Sequence, residues 1–147
     1  MIDMQNVKNV VGLAPISINS GAATPLAVDT SGYSYATAIV SFGVIGGAAT
    51  VMRLTECETS GGTYTAITGL TASGSTGDGR LPQTADAGTS FMFNVPLGAG
   101  SVRKKFLTLE ITTGATTLVQ VTWILSRAAQ TPNTAAERGV SGYLSIP

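Results

Sequence analysis

The stretch Ser101–Arg127, SVRKKFLTLEITTGATTLVQVTWILSR, constrains this chain more than any other. It holds two β-rich runs around a short polar turn. Leu107, Leu109 and Ile111 alternate along the first run; Val119, Val121, Trp123 and Leu125 alternate along the second. Apolar residues at every second position put one face of an extended strand against a core. The link Thr113-Gly114-Ala115-Thr116 has the length of a hairpin connection and one glycine for positive φ. The expectation is two long antiparallel strands, Val102–Thr112 and Thr117–Ser126, paired as a hairpin at the centre of an all-β domain.

The rest of the chain repeats this pattern in shorter pieces. Ile16 and Ile18 alternate with polar residues, as do Leu26 and Val28. Between Tyr35 and Phe42, one face is Ala36, Ala38, Val40 and Phe42, and the other is Tyr35, Thr37, Ile39 and Ser41. Gly43–Ala49 is a glycine-rich loop. Thr50–Glu58 is a strand with Met52 and Leu54 on one side, where Glu56 and Glu58 take the strand end into solvent. Tyr64–Ile67 returns beside it as a hairpin. Residues 69–88 form a long surface loop. Thr89–Val95 is a strand with Phe91, Phe93 and Val95 on one face. Past Arg127 the alternation stops, and Ala135–Arg138 has room for one helical turn. Seven or eight short strands between glycine-rich turns predict a single antiparallel β-sandwich, jelly-roll-like. Its expected parts are an N-terminal arm (1–15), the sandwich (16–127) and an extended C-terminal tail (128–147).

Composition narrows the function. At 147 residues the chain builds its own core without staples. Charged residues make up only 11% of it, against a usual share of about 25%. Ser, Thr, Gly and Ala take their place, and a surface so poor in charge suits contact with other protein. The net charge is zero, so nucleic acid is not expected as the main partner. Cys57 is the single cysteine; no intrachain disulfide is possible, and Cys57 reads as a small buried hydrophobe. Without histidine, Ser-His-acid and Cys-His chemistry is excluded, as are metal sites built from His and Cys. No cofactor is expected. The N-terminal residues do not read as a signal peptide, and no run approaches the roughly 20 apolar residues of a membrane helix.

The remaining candidate chemistry is thin. Glu56 and Glu58 would share a strand face, as a hydrolase pair must, but they read as two solvated charges at a strand end. Asp78 and Asp86 lack a calcium-loop spacing and read as turn formers. Gly98–Ser101 ahead of Arg103, Lys104 and Lys105 opens a strand rather than a helix, so it is no P-loop. The three basic residues read as a protruding strand end or as a contact with an acidic neighbour. Trp123 belongs to the core. The non-core face of the expected hairpin is harder to explain as solvated surface, because it carries Val102, Phe106, Leu118 and Ile124. Exposed apolar patches mark contacts, and this face is expected to be a subunit interface. Tyr143, Leu144 and Ile146, on a tail without a core of its own, are expected to dock on their own domain or on a neighbour.

The runs DTSGYSYATAIVSFGVIGG (29–47) and VMRLTECETSGGTYTAI (51–67), with NTAAERGV (133–140), resemble small structural proteins of tailed phages, the capsid decoration or cement proteins. The resemblance implies a β-sandwich or jelly roll, commonly trimeric. Such a protein is made in the host cytoplasm and binds the major capsid protein on the outside of an assembled shell. It implies no catalytic residue and no small-molecule substrate. The residues alone leave other readings open. One is a carbohydrate-binding module of a phage tail or fibre, using Tyr33, Tyr35, Tyr64 and the 69–88 loop. A hydrolase using Glu56 and Glu58 ranks last.

Overall fold

The structure is a computed structural model that describes residues 7–98, 101–128, 136–137 and 139–141. Its strands are β1 (Lys8–Ile18), β2 (Gly21–Ala22), β3 (Val28–Asp29), β4 (Tyr33–Ile45), β5 (Ala49–Cys57), β6 (Thr65–Thr71), β7 (Ser90–Pro96), β8 (Phe106–Thr113) and β9 (Thr117–Ala128). Among the described residues there is no α-helix, only a 3₁₀ turn at Thr84–Asp86. One sheet runs β1-β9-β4-β7. The other runs β8-β5-β6, with β2 and β3 both paired along the free side of β8. Every pairing is antiparallel. The two sheets face each other as a β-sandwich.

The alternation seen in the sequence builds the core. Ala36, Ala38, Val40 and Phe42 of β4 and Val119, Val121, Trp123 and Leu125 of β9 point inward from one sheet. Met52 and Leu54 of β5 and Leu107, Leu109 and Ile111 of β8 point inward from the other. Each large side chain so buried contributes about 1.5–3 kcal/mol.

The central hairpin does not form. β8 and β9 share no ladder: β8 lies in one sheet and β9 faces it in the other. The inward faces of both strands are the odd-numbered residues, so alternation fits a hairpin and an arch between sheets equally. The link Gly114–Thr116 therefore crosses the roughly 10 Å between the sheets. It is held by the β4–β5 crossing, which bends beside it: Gly46 N–H donates to Thr116 C=O (2.8 Å) and Gly114 N–H to Ala48 C=O (3.2 Å). A Cβ on Gly46 would lie 2.6 Å from the Thr116 oxygen, so this nesting needs glycine. The expected β5–β6 hairpin does form.

Several boundaries move. β1 starts at Lys8 and pairs with β9 from Lys8↔Leu125 onward, so residues 8–15 belong to the sheet rather than to an arm. Val7 is already buried. β8 starts at Phe106, not Val102, because Lys104 N–H donates to the Glu56 carboxylate (3.1 Å) instead of to a neighbouring strand. Glu56 does not emerge into solvent: it is 8% exposed, inside the end of the sandwich. β6 continues to Thr71, so the loop after it spans 72–89. In the tail, a turn closes from Gly139 N–H to Ala136 C=O (3.0 Å), and Gly139 lies against Asn9 of β1.

Candidate functional site

The outward residues of the four-stranded sheet form one continuous surface. The register sets them in rows. Val11, Thr122, Ile39 and Met92 lie across the four strands in one row. Asn9, Ile124, Thr37 and Asn94 form the next, and Gln120, Ser41 and Ser90 another. None of these positions is charged. Met92 is 64% exposed, Val11 55% and Leu118, towards the end of the same face, 42%. The polar groups among them are bonded to one another. Thr37 Oγ1 donates to Asn94 Oδ1 (2.9 Å), Ser41 and Ser90 share a bond (2.9 Å), and Gln120 Nε2 donates to Thr122 Oγ1 (3.2 Å). A polar group already paired loses less when a partner expels its water. This face is thus partly apolar and less costly to desolvate. At its rim, Arg127 sits at φ +53° and stacks its guanidinium over the Tyr35 ring at 4.9 Å.

The opposite sheet presents a different surface. Arg53 Nε bonds Glu110 Oε2 at 2.7 Å across β5 and β8. The 23–27 segment lies along β8, with Ala23 N–H donating to Ile111 C=O (2.8 Å) and Thr108 Oγ1 to Pro25 C=O (3.3 Å).

The residues expected to form one interface are divided between places. Leu118 and Ile124 lie on the uncharged face. Phe106 lies on the opposite face, with the Lys105 ammonium 5.2 Å from its ring centre. Val102, 82% exposed, lies in the segment before β8, at the mouth of a cleft between β6 and β7. Arg103 pairs with Glu56 (3.7 Å), Lys105 with Asp29 (3.4 Å), and Lys104 Nζ reaches Thr65 Oγ1 (3.4 Å). The acidic neighbours of this basic triplet belong to its own chain. Tyr143, Leu144 and Ile146 lie outside the described residues. Sequence reasoning missed Val11, Ile39 and Met92 on the uncharged face. Ile39 and Met92 were visible as outward positions of single strands; only the pairing of four strands assembles them.

The other candidate sites do not come together. Tyr33 and Tyr35 open β4, and Tyr64 donates its hydroxyl to Ser60 C=O (3.0 Å) in the β5–β6 turn. The 72–89 loop is tied to the far ends of these strands, through Gly88 N–H to Phe42 C=O (3.0 Å) and Ala49 N–H to Pro82 C=O (2.9 Å). The three tyrosines and the loop therefore share no surface. Glu58 lies beyond the end of β5, exposed, while Glu56 is held by Arg103.

Asp86 closes the 72–89 loop. Arg80 grips its two carboxylate oxygens (2.8 and 2.6 Å), and Gln83 N–H donates to it (2.8 Å). The Arg80 bonds, with the Gln83 N–H, hold the Asp86 carboxyl below the usual carboxylate range. Beside it, a cleft of about 500 Å³ opens between β6 and β7, with Met52, Leu70, Phe91 and Phe93 on its wall and Asp78 at its rim. Among the described residues, no three His, Cys, Asp or Glu side chains stand together as a metal site. Cys57 is buried and free.

The chain matches no protein-family model and no curated protein sequence.

Proposed function

We propose that this chain is a structural virion protein that self-associates and binds the outside of an assembled phage capsid, with the major capsid protein as its partner. The resemblance of its sequence implies a trimer. The observation that carries the reading is the uncharged outer face of the β1-β9-β4-β7 sheet. A solvated sheet face is normally polar and charged; this one combines exposed Met92, Val11 and Leu118 with polar side chains paired to each other. Such a face gains by being covered with protein. The strand order, β1-β9-β4-β7 facing β2/β3-β8-β5-β6, supports the jelly-roll reading. A ligand that binds only the assembled shell stabilises it by mass action, which needs binding and no bond chemistry.

Cosedimentation with assembled phage capsids tests this. Wild-type protein pellets with the shells in a saturable ratio. Thr122→Lys puts a charge in the middle of the face at an outward position and weakens binding about 30-fold or more, since a charge desolvated without a partner costs several kcal/mol. Wild-type protein that stays in the supernatant, or a folded lysine variant that binds as well as wild type, overturns the reading.

A further inference from the structure

We propose that β7 is a pairing edge, and that it joins β7 of a second copy of this chain in antiparallel register about a twofold axis at Met92. A sheet edge exposes a row of free N–H and C=O groups, and proteins usually blunt it. Three of the four edges here are blunted. β1 has two register breaks and Pro15, and its Gly12 C=O is taken by Leu26 N–H (2.6 Å). β2 and β3 are two residues each. β6 has a register break against β5 and Gly69 at φ +84°. β7 runs Ser90–Pro96 against β4 with no break, carries no charge, and has its proline only at its last position.

The hydrogen-bond phase of β7 is fixed at both ends. Phe42 N–H donates to Thr89 C=O (2.9 Å) and Leu97 N–H to Ser34 C=O (2.8 Å). Bonded pairs alternate in an antiparallel ladder, so Phe91, Phe93 and Val95 bond to β4. Ser90, Met92 and Asn94 then turn their N–H and C=O groups to the open side. Among the described residues, no backbone group bonds them there.

The second copy is favoured by self-complementarity. Ser90-Phe91-Met92-Phe93-Asn94 reads nearly the same in both directions about Met92. Antiparallel pairing sets Met92 against Met92 and Ser90 against Asn94 on the outer face, and Phe91 against Phe93 on the inner one. Aromatic pairs across strands are favourable, and no like charges meet. About six backbone bonds form, two at the Met92 pair and two at each Ser90–Asn94 pair. The pairing also continues the candidate surface, making one eight-stranded sheet whose two uncharged faces join. A twofold contact closes on itself and makes no filament. It is separate from the threefold contact implied by the resemblance, and it rests on the proposed function only for its use on a shell.

Light scattering and sedimentation equilibrium test it. Wild type shows a concentration-dependent twofold association. Met92→Lys sets two ammonium groups side by side on the axis and weakens it about 100-fold or more. Thr112→Lys, outward on β8 and away from β7, leaves it unchanged. In a Cys57→Ala background, Met92→Cys forms an intermolecular disulfide on oxidation, since directly opposed bonded residues lie about 5.5 Å apart at Cα. A wild type that stays monomeric to about 1 mM, a contact of affinity too weak to matter, overturns the proposal. So does an association that Met92→Lys leaves intact. A dimer that forms but binds no capsid keeps this proposal and removes the proposed function; capsid binding by a protein that associates without the β7 twofold contact does the reverse.

Discussion

The two outer faces of this sandwich are built from the same kind of strand, yet they treat charge in opposite ways. On the β8-β5-β6 side, Arg53 and Glu110 pair in the middle of the sheet and Lys105 and Asp29 pair near its end. The 23–27 segment also runs along the β8 edge of that side. On the β1-β9-β4-β7 side, three rows of outward residues hold no charge at all, and their hydroxyls and amides bond one another. Low charge is thus not spread evenly over the molecule. One side keeps the ion pairs suited to water and the other is kept free of them. A chain that merely happened to be rich in Thr and Ser would show no such division.

Lysine placed on each side breaks or sharpens this comparison most directly. On the proposed function, Thr122→Lys on the uncharged face weakens capsid binding about 30-fold or more, whereas Thr112→Lys, outward on β8, changes it by less than about twofold. The two sites are both outward strand positions, so both variants fold. The measurement is cosedimentation over a range of protein concentrations. Equal loss in both variants would show that the contact is not confined to one sheet.

Much of the fold was legible in the alternation, and the division between faces was not. The inward sets Ala36–Phe42, Leu107–Ile111 and Val119–Leu125 follow from period two alone, because a buried sheet face leaves no freedom in which residues point inward. Where each strand lies is a different matter. Leu118 and Phe106 look like neighbours on one outer face while β8 and β9 are taken as a hairpin; as an arch, the same residues face opposite ways. Nothing in a three-residue link with one glycine separates those cases. Glu56 was legible as sharing a face with Met52 and Leu54, but not as buried: the strand end was expected to emerge into solvent there. Its partner Arg103 was not legible, because that contact joins residues far apart in sequence at the end of the sandwich.

The uncharged face depends on the core beneath β1, and Gly12 is where the two meet. It sits at a register break between Val11 and Leu13, over the fully buried Trp123. A Cβ at Gly12 would lie 2.7 Å from Trp123 Cδ1 and Nε1, side-chain atoms that are fully buried. Gly12→Ala therefore costs about 1–3 kcal/mol, the usual penalty for overpacking. Urea unfolding gives the value from the shift of midpoint at constant slope. The variant also displaces Asn9 and Val11, so capsid binding falls beyond what lost stability explains, while the Arg53–Glu110 side is unaffected. Stability within error of wild type would mean that β1 is loosely attached and contributes little to the face.

The smallest expected effect lies between the faces, at Asp86. Its carboxyl is held below the ordinary value of 3.8 by the bonds from Arg80 and, next, from Gln83 N–H. A group whose folded pKa is depressed stabilises the fold above its unfolded pKa. That contribution is lost as pH falls through the folded pKa. The loop clamp is thus intact at neutral pH and weakens below about pH 4. Asp86→Asn removes the titration: it lowers stability modestly at neutral pH and flattens the acid limb of the stability curve. Denaturant unfolding between about pH 2 and pH 6 reads this difference. Because Asp86 borders the β6–β7 cleft rather than either outer face, capsid binding at neutral pH should survive the change. An acid limb of unchanged slope in the Asn variant would assign the acid sensitivity elsewhere, with Asp29 beside Lys105 the next group to test.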